Sequence, residues 1–335
     1  MERIRTRLSV IGSIIFIIII FVVIYTINND IESINKSQSN VLLGFNELKQ
    51  IKPVTIQTIQ PIQPVQPTQL YRIKDTGQYK LYIHPPGDMV SDRVWQTGTW
   101  DDCPTILAVA TNKLSNIQKL VIVEVGTNIA ACSIPYISKG HKVYGFEPFQ
   151  PSIELVRKSI SENYNLPGEL ILIEAGASNM KGVSNVFFEQ GNLGNSRVGN
   201  NKENYNIKYE NKYNFYYQKH QQVRLTTIDS VVTEHIHLLK MDCQGFEYFA
   251  ALGATNLIIK YGVDIVVFEL TPVFIEANNQ KPSDLLHFFV DRNFDLFHSG
   301  QNIPKEKIDS FVERIKTTML DTTIVCLNKN TTFTS

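Results

Sequence analysis

Two short segments carry side chains whose types and spacing could do chemistry. The first is Glu124-Val125-Gly126-Thr127-Asn128, which ends an apolar run and opens a stretch of helical pattern. A glycine there lets the chain approach a ligand closely, and the start of the following helix offers unpaired N–H groups. About twenty residues further on, Glu147 ends the next apolar run. A carboxylate at that distance can accept hydrogen bonds from both ribose hydroxyls of a nucleoside. The plainer alternative is a tight turn and a solvated glutamate, but a glycine paired with a carboxylate at this spacing favours the nucleoside. No GxGxxG is present, which disfavours a dinucleotide dehydrogenase, and the absence of GxxxxGK[ST] excludes a P-loop enzyme.

The second segment is Lys240-Met241-Asp242-Cys243-Gln244-Gly245-Phe246-Glu247, again where a strand passes into a helix. Asp242 and Glu247 could position a hydroxyl, accept its proton or steer a cation. Alternatively, Asp242 caps the helix and Glu247 sits in its first turn, where a negative charge suits the helix dipole. Glu269 ends a further strand and could reach the same crevice, or be merely solvated. Trp95 and Trp100 could stack on a sugar face or on adenine, or pack against the sheet. His84 has no visible partner and reads as a surface histidine. Cys103, Cys132, Cys243 and Cys326 form no CxxC pair, so no metal site is expected.

These groups must be held by an α/β domain. From about residue 70, short apolar runs alternate with helical stretches, the pattern of a largely parallel, doubly wound sheet. Strands are expected at 119–126, 141–148, 169–178, 183–190, 223–229, 237–242, 263–270, 294–300 and 322–328. Helices are expected at Ile129–Lys139, Pro151–Tyr164 and Phe246–Lys260, and near Ser283–Arg292 and Ile303–Lys316. Residues 191–220 are rich in Asn and Tyr and read as a loop or a hairpin insertion. In such a sheet a nucleotide lies at the C-terminal strand ends, where the strand order reverses.

Composition narrows the setting less than the motifs do. Lys plus Arg number 32, equal to Asp plus Glu, so nothing points to nucleic acid, and the 43% apolar fraction suffices for a core. The four cysteines are too few for a disulfide scaffold. In an oxidising lumen one or two bridges could form, with no pairing indicated, and Cys132 and Cys243 read as small buried residues. Residues 10–27 contain no charge and are long enough to span a bilayer as a helix. Arg3, Arg5 and Arg7 precede them, whereas Asp30 and Glu32 follow. A type II anchor is therefore expected, with a cytosolic tail (1–9), the span (10–27) and the remainder luminal or extracellular, in the ER or Golgi. A cleaved signal peptide is the competing reading, but no small-residue cleavage pattern follows the apolar run. Residues 28–70, Pro/Gln-rich from about residue 50, form a semi-rigid stem. A cap (71–118) and the catalytic domain (119–330) follow. The sequons at Asn35 and Asn330 suit this topology.

Taken together, EVGTNIAACSIPYISKGHKVYGFEP, TTIDSVV, LLKMDCQGFEYFAALGATNLI and VDIVVFEL resemble, in order and spacing, the FkbM-type methyltransferases. The resemblance covers about residues 80–328. It implies a Rossmann-like class I methyltransferase fold with a seven-stranded sheet, S-adenosyl-L-methionine as cofactor, and a hydroxyl of a sugar, glycan or other small molecule as acceptor. The family pattern carries over to Glu124, Gly126, Asn128, Glu147, Asp242, Gly245, Glu247 and Glu269. The cofactor set expected is Glu124, Gly126, Asn128, Glu147, Ala177 and Asp242. Asp242 and Glu247 are expected to be catalytic, with Trp95, Trp100 and Glu269 on the acceptor side. The sequence departs from the family pattern with Glu124 for aspartate, Ala130 for glycine and Gln244 for glutamate. A Golgi-type glycosyltransferase and an inactive binding protein on the same fold stay open as alternatives. The oligomeric state is not indicated.

Overall fold

The computed structural model describes residues 71–335, apart from 190, 200–205, 210–212, 218, 319–320 and 335. The expected tail, anchor and stem (1–70) lie outside the described residues. Among the described residues no helix is long and apolar enough to cross a membrane.

The chain opens with a hairpin, β1 (Arg72–Asp75) and β2 (Lys80–Ile83), then α1 (Met89–Thr97) and α2 (Asp102–Lys113). Asp88 caps α1 by accepting the Ser91 N–H at 2.8 Å, and Gly98 ends it in the left-handed conformation. Next come β3 (Val121–Val125), α3 (Ser133–Ser138), β4 (Lys142–Phe146), α4 (Gln150–Glu162), β5 (Glu169–Ile173) and β6 (Gly176–Ala177). Five antiparallel-rich strands follow: β7 (Gly182–Glu189), β8 (Asn192–Gly199), β9 (Asn206–Tyr209), β10 (Tyr213–Tyr216) and β11 (Lys219–Thr226). The chain closes with β12 (Ile236–Met241), α5 (Glu247–Leu252), a π-helical turn (Leu257–Tyr261), β13 (Val263–Leu270), α6 (Pro272–Ala277) and α7 (Pro282–Val290). β14 (Phe294–His298), β15 (Gln301–Ile303), α8 (Ile308–Thr318) and β16 (Thr322–Asn328) complete it.

The main sheet has the order β15-β14-β16-β13-β12-β3-β4-β5. β5, β4, β3, β12 and β13 run parallel, and β16 inserts antiparallel between β13 and β14. The seven expected strands are present, and the three-residue β15 adds an eighth at the edge. Successive side chains of a strand face opposite ways. Ile122 on β3, Leu238 on β12 and Ile265 on β13 accordingly join one core with α1 to α4, while Val123, Leu239 and Val266 join a second with α5, α7 and α8. Burial on both faces explains why these strands read as continuous apolar runs.

Three expectations need correction, and a fourth is met in part. The helix expected at Ile129–Lys139 begins only at Ser133, because Asn128 (φ 51°) and Ala130 (φ 61°) are left-handed. The single strand expected at 169–178 divides into β5 and β6, which belong to different sheets. The helix expected at Phe246–Lys260 divides at Gly253, whose backbone presses on the Ser178 carbonyl so closely that a Cβ would lie 1.9 Å from it. Residues 191–220, read as a loop or hairpin, supply β8, the β9–β10 hairpin and the start of β11. β8 and β11 build a second sheet of order β6-β11-β7-β8. β7 and the end of β11 were expected as strands, whereas β8 (NLGNSRVG) lacks the apolar alternation by which strands are recognised.

Candidate active site

The parallel pairing of β3 with β12 sets Glu124 beside Lys240 and Val125 beside Met241, so both chemistry-bearing turns leave the sheet at the same edge. The Asp242 N–H donates to Val125 O at 3.0 Å, and the Asp242 carbonyl lies directly against Gly126. Gly126 has φ +83°, and a Cβ on it would sit 1.9 Å from that carbonyl oxygen. Only glycine satisfies both conditions. The Gly126 and Thr127 N–H groups donate to Phe146 O, tying this turn to the end of β4 and hence to Glu147.

Glu147 is 5% exposed and accepts two backbone hydrogen bonds, from Asn128 N–H at 2.7 Å and Phe149 N–H at 2.8 Å. Burial pushes its carboxyl up to about 7, against the pull of those two donors. Glu124 is also buried and accepts the Ser133 hydroxyl; burial raises its carboxyl, opposed mainly by Lys240. The Lys240 Nζ is 3.5 Å from Glu124 and 3.5 Å from Asp242. Burial works against the Lys240 charge, but the surrounding carboxylates of Asp242, Glu124 and Glu269 outweigh it and raise its proton affinity. Gln244, left-handed at φ 54°, donates its amide to Asp242 Oδ1 and to Glu269 Oε2, both at 2.9 Å. Burial, then the Asp242 charge, push the Glu269 carboxyl up to about 9.

These residues line one cavity of about 610 Å³. Glu124, Gly126, Asn128, Glu147, Ala177, Asp242, Glu269 and Trp100 all border it, together with Asp102, Gln244, Lys240 and Asp321. The volume lies within the range of small-molecule and cofactor sites. Six carboxyl groups against Lys240 and Arg197 make the lining predominantly acidic, which suits a cationic ligand. The Asn128 amide also donates to Gly194 O at 3.2 Å, so the Gly126 turn is tied to β8 across the cavity.

The sequence profile described as the methyltransferase FkbM domain matches residues 124–296 of the 335, spanning every element that carries this site except the N-terminal segment and β16. The chain belongs to the FkbM methyltransferase domain family.

Solved structures similar to this FkbM domain include the FkbM methyltransferase of Methylobacillus flagellatus, 13% identical, with 65% of this chain and 47% of that chain covered and a TM-score of 0.37. This chain thus spans about half the length of that structure. A second is the magnesium protoporphyrin IX methyltransferase of Synechocystis with bound SAM, 9% identical, covering 72% and 84% of the two chains at a TM-score of 0.38. No curated protein matches the chain.

Two residues expected in the FkbM site are placed elsewhere. Trp95 is 47% exposed on α1 and stacks against Arg72 and Lys74, so it does not border the cavity. Of the two tryptophans, only Trp100 does. Glu247 is 1% exposed, and its two oxygens accept the Cys243 and Gly245 N–H groups, each at 2.9 Å. Of the two roles its position allows, the structure assigns the helix-start one: it holds the turn that carries Asp242. Burial pushes Glu247 up to about 7.

Three further corrections concern neighbours of the site. Cys132 is not a free buried residue but is bonded to Cys103, joining α2 to the turn before α3. Cys243 is free and only partly buried. His84 is buried rather than on the surface, with Ser152 Oγ 3.5 Å from its Nε2, and burial lowers its proton affinity.

Sequence reasoning missed Lys240, Asp102, Asp321 and the β8 wall. A lysine inside the apolar run LLKM was a usable signal, since a buried charge requires a partner. The β8 residues carried none.

No metal was expected, yet His235, His237 and Asp264 bring ligand atoms within 4.8 Å of one another at the opposite ends of β12 and β13. His237 Nδ1 accepts the Val121 N–H at 2.8 Å, so its neutral ring carries the proton on Nε2 and offers no lone pair there.

Proposed function

We propose that this protein is an S-adenosylmethionine-dependent methyltransferase that acts on a hydroxyl of a sugar or glycan. The observation that carries the reading is the shared hollow of Glu147, Gly126 and Asp242, on three adjacent strand ends. Glu147 keeps lone pairs free for ribose hydroxyls after accepting its two backbone donors. The absent side chain at Gly126 lets its turn close against the Asp242 carbonyl, which brings the β3 and β12 strand ends together at the hollow where an adenosyl moiety would lie. Trp100 supplies an aromatic wall, and the Asp242 carboxylate borders the space for a sulfonium. S-adenosylmethionine, when bound, supplies a methyl group already on a good leaving group. The chain's part is to bind and orient, exclude water and take up a proton. Asp242 is the proton acceptor for the acceptor hydroxyl, and the Gln244 amide fixes its orientation.

Calorimetry with S-adenosylmethionine tests the ribose contact: Glu147→Ala weakens affinity, and an unchanged Kd refutes the assignment. Asp242→Asn lowers turnover more than cofactor affinity. An equal loss of both reassigns Asp242 to cofactor binding.

The same proposal includes membrane attachment through residues 10–27 with the catalytic domain in the ER or Golgi lumen. The Cys103–Cys132 bridge supports it, because such bonds persist in oxidising compartments. So does Asn330, exposed at the end of β16 within its sequon. Full-length protein is expected to stay with alkali-washed membranes and to lose mass on glycosidase treatment. Release of the full chain by alkali overturns the anchor.

A further inference from the structure

The reading of this cavity as a methyltransferase site leaves the acceptor's chemistry open, and one side chain on the wall bears on it. Arg197, on β8, lines the cavity and is 1% exposed. Its guanidinium lies over the Phe274 ring at 4.8 Å and 5.9 Å from the Tyr217 ring. Nε donates to Gln244 O at 3.2 Å and Nη2 to Phe274 O at 3.1 Å. A guanidinium has five N–H groups. These two bonds leave one N–H on Nη2 and both on Nη1, and Nη1 has no partner among the described residues. The free groups include the end-on pair of the fork, one N–H from each Nη, whose spacing matches two oxygens of a carboxylate or phosphate.

A buried guanidinium is stable only when its charge is answered. The carboxylate whose field reaches Arg197, that of Glu247, has both oxygens taken by the Cys243 and Gly245 amides. The deficit extends beyond one atom. Tyr217 Oη and Asn278 Oδ1 are also buried without partners, and Asn278 shares the Phe274 carbonyl with Arg197. Three of the four unpartnered buried polar side-chain atoms among the described residues therefore fall in this one patch. The rest of the lining is acidic and suits a cation, so the Arg197 side gives the cavity a second electrostatic end. Gln244 joins the two ends, since its carbonyl accepts Arg197 Nε and its amide donates to Asp242.

We propose that Arg197 determines specificity for an anionic acceptor: a carboxylate or phosphate on the molecule to be methylated seats on its end-on fork. Held there, the acceptor presents a neighbouring hydroxyl to Asp242 through the short Gln244 connection. A uronate and a sugar phosphate are two sources of the same chemistry.

The test titrates methyl glucuronide, methyl phosphate and neutral methyl glucoside into the full-length chain by calorimetry, with and without S-adenosylhomocysteine. At least one anionic probe is expected to bind about tenfold or more tightly than the glucoside, a difference above 1.4 kcal/mol. The better of the two anions identifies the source. Arg197→Met is expected to remove the preference. Arg197→Lys, which keeps the charge without the fork, is expected to lose most of it. Circular dichroism and melting verify the fold of each variant. If Arg197→Met does not fold, wild-type selectivity and Arg197→Lys decide. Equal binding of all three probes, no binding of either anion, or anion binding that survives Arg197→Met overturns the proposal. So does a high-resolution structure in excess anion with only water on the fork. Failure of S-adenosylhomocysteine to bind while the anion preference persists would instead overturn the methyltransferase reading.

Discussion

The main-chain oxygen of Asp242 occupies the place where a side chain at Gly126 would begin. A Cβ at 126 would lie 1.9 Å from it, and the glycine is already left-handed. Two turns more than a hundred residues apart in sequence are thus pressed together at backbone distance. The proposed cofactor grip and the proposed proton acceptor move as one unit.

Gly126→Ala therefore injures both functions at once. The methyl group must push Asp242 away while the backbone stays in a strained region that costs about 1–3 kcal/mol. A displacement of that size is expected to lower turnover on the order of 100-fold and to weaken cofactor binding. Melting curves and steady-state kinetics of the purified variant check both.

The pH dependence of cofactor binding follows from Glu147. Its carboxyl is raised from 4.5 to about 7, so the folded protein still holds a proton between those values where the unfolded chain has lost it. This group's contribution to stability therefore falls as pH rises from 4.5 to 7 and is level above. Ribose hydroxyls need the ionised form, so affinity for S-adenosylmethionine is expected to rise from pH 6 to pH 8, with proton release on binding near pH 6. Glu147→Gln should flatten both dependences. Calorimetry in buffers of different ionisation enthalpy measures the released proton, and Glu247, raised to the same range, serves as the unchanged background.

Removing Glu247 tests whether it is structural. Glu247→Ala leaves the Cys243 and Gly245 N–H groups without acceptors inside the fold, for an expected loss of roughly 2–4 kcal/mol. Glu247→Gln retains one acceptor and should fall between. The pH–rate profile of Glu247→Gln is expected to match the wild type in position. A shifted acid limb would return Glu247 to the catalytic role.

Reduction of Cys103–Cys132 should destabilise the domain. The bridge closes a separation of 29 residues, for which chain entropy suggests about 3–4 kcal/mol. Cys132 also borders the cavity, so cofactor affinity should fall together with the melting temperature. Melting with and without reductant, and of Cys103→Ser, measures this. An unchanged transition would mean that the bridge carries no load.

Most strands of the main sheet and the two motif turns were legible in the chain alone. β13 and β16 were legible to the residue because an apolar run buried on both faces has sharp ends. Gly126, Glu147 and Asp242 were legible because their types and spacing follow from where strands end. Only the tertiary structure decided which of these groups share a hollow and which way each side chain turns. It sent Trp95 to solvent and Glu247 into its own turn, and it brought β8 with Arg197 to the cavity wall. The physical reason is that local pattern records burial and strand period. Orientation and partnership are instead set by contacts distant in the chain, and a polar strand such as β8 leaves no apolar period to announce them.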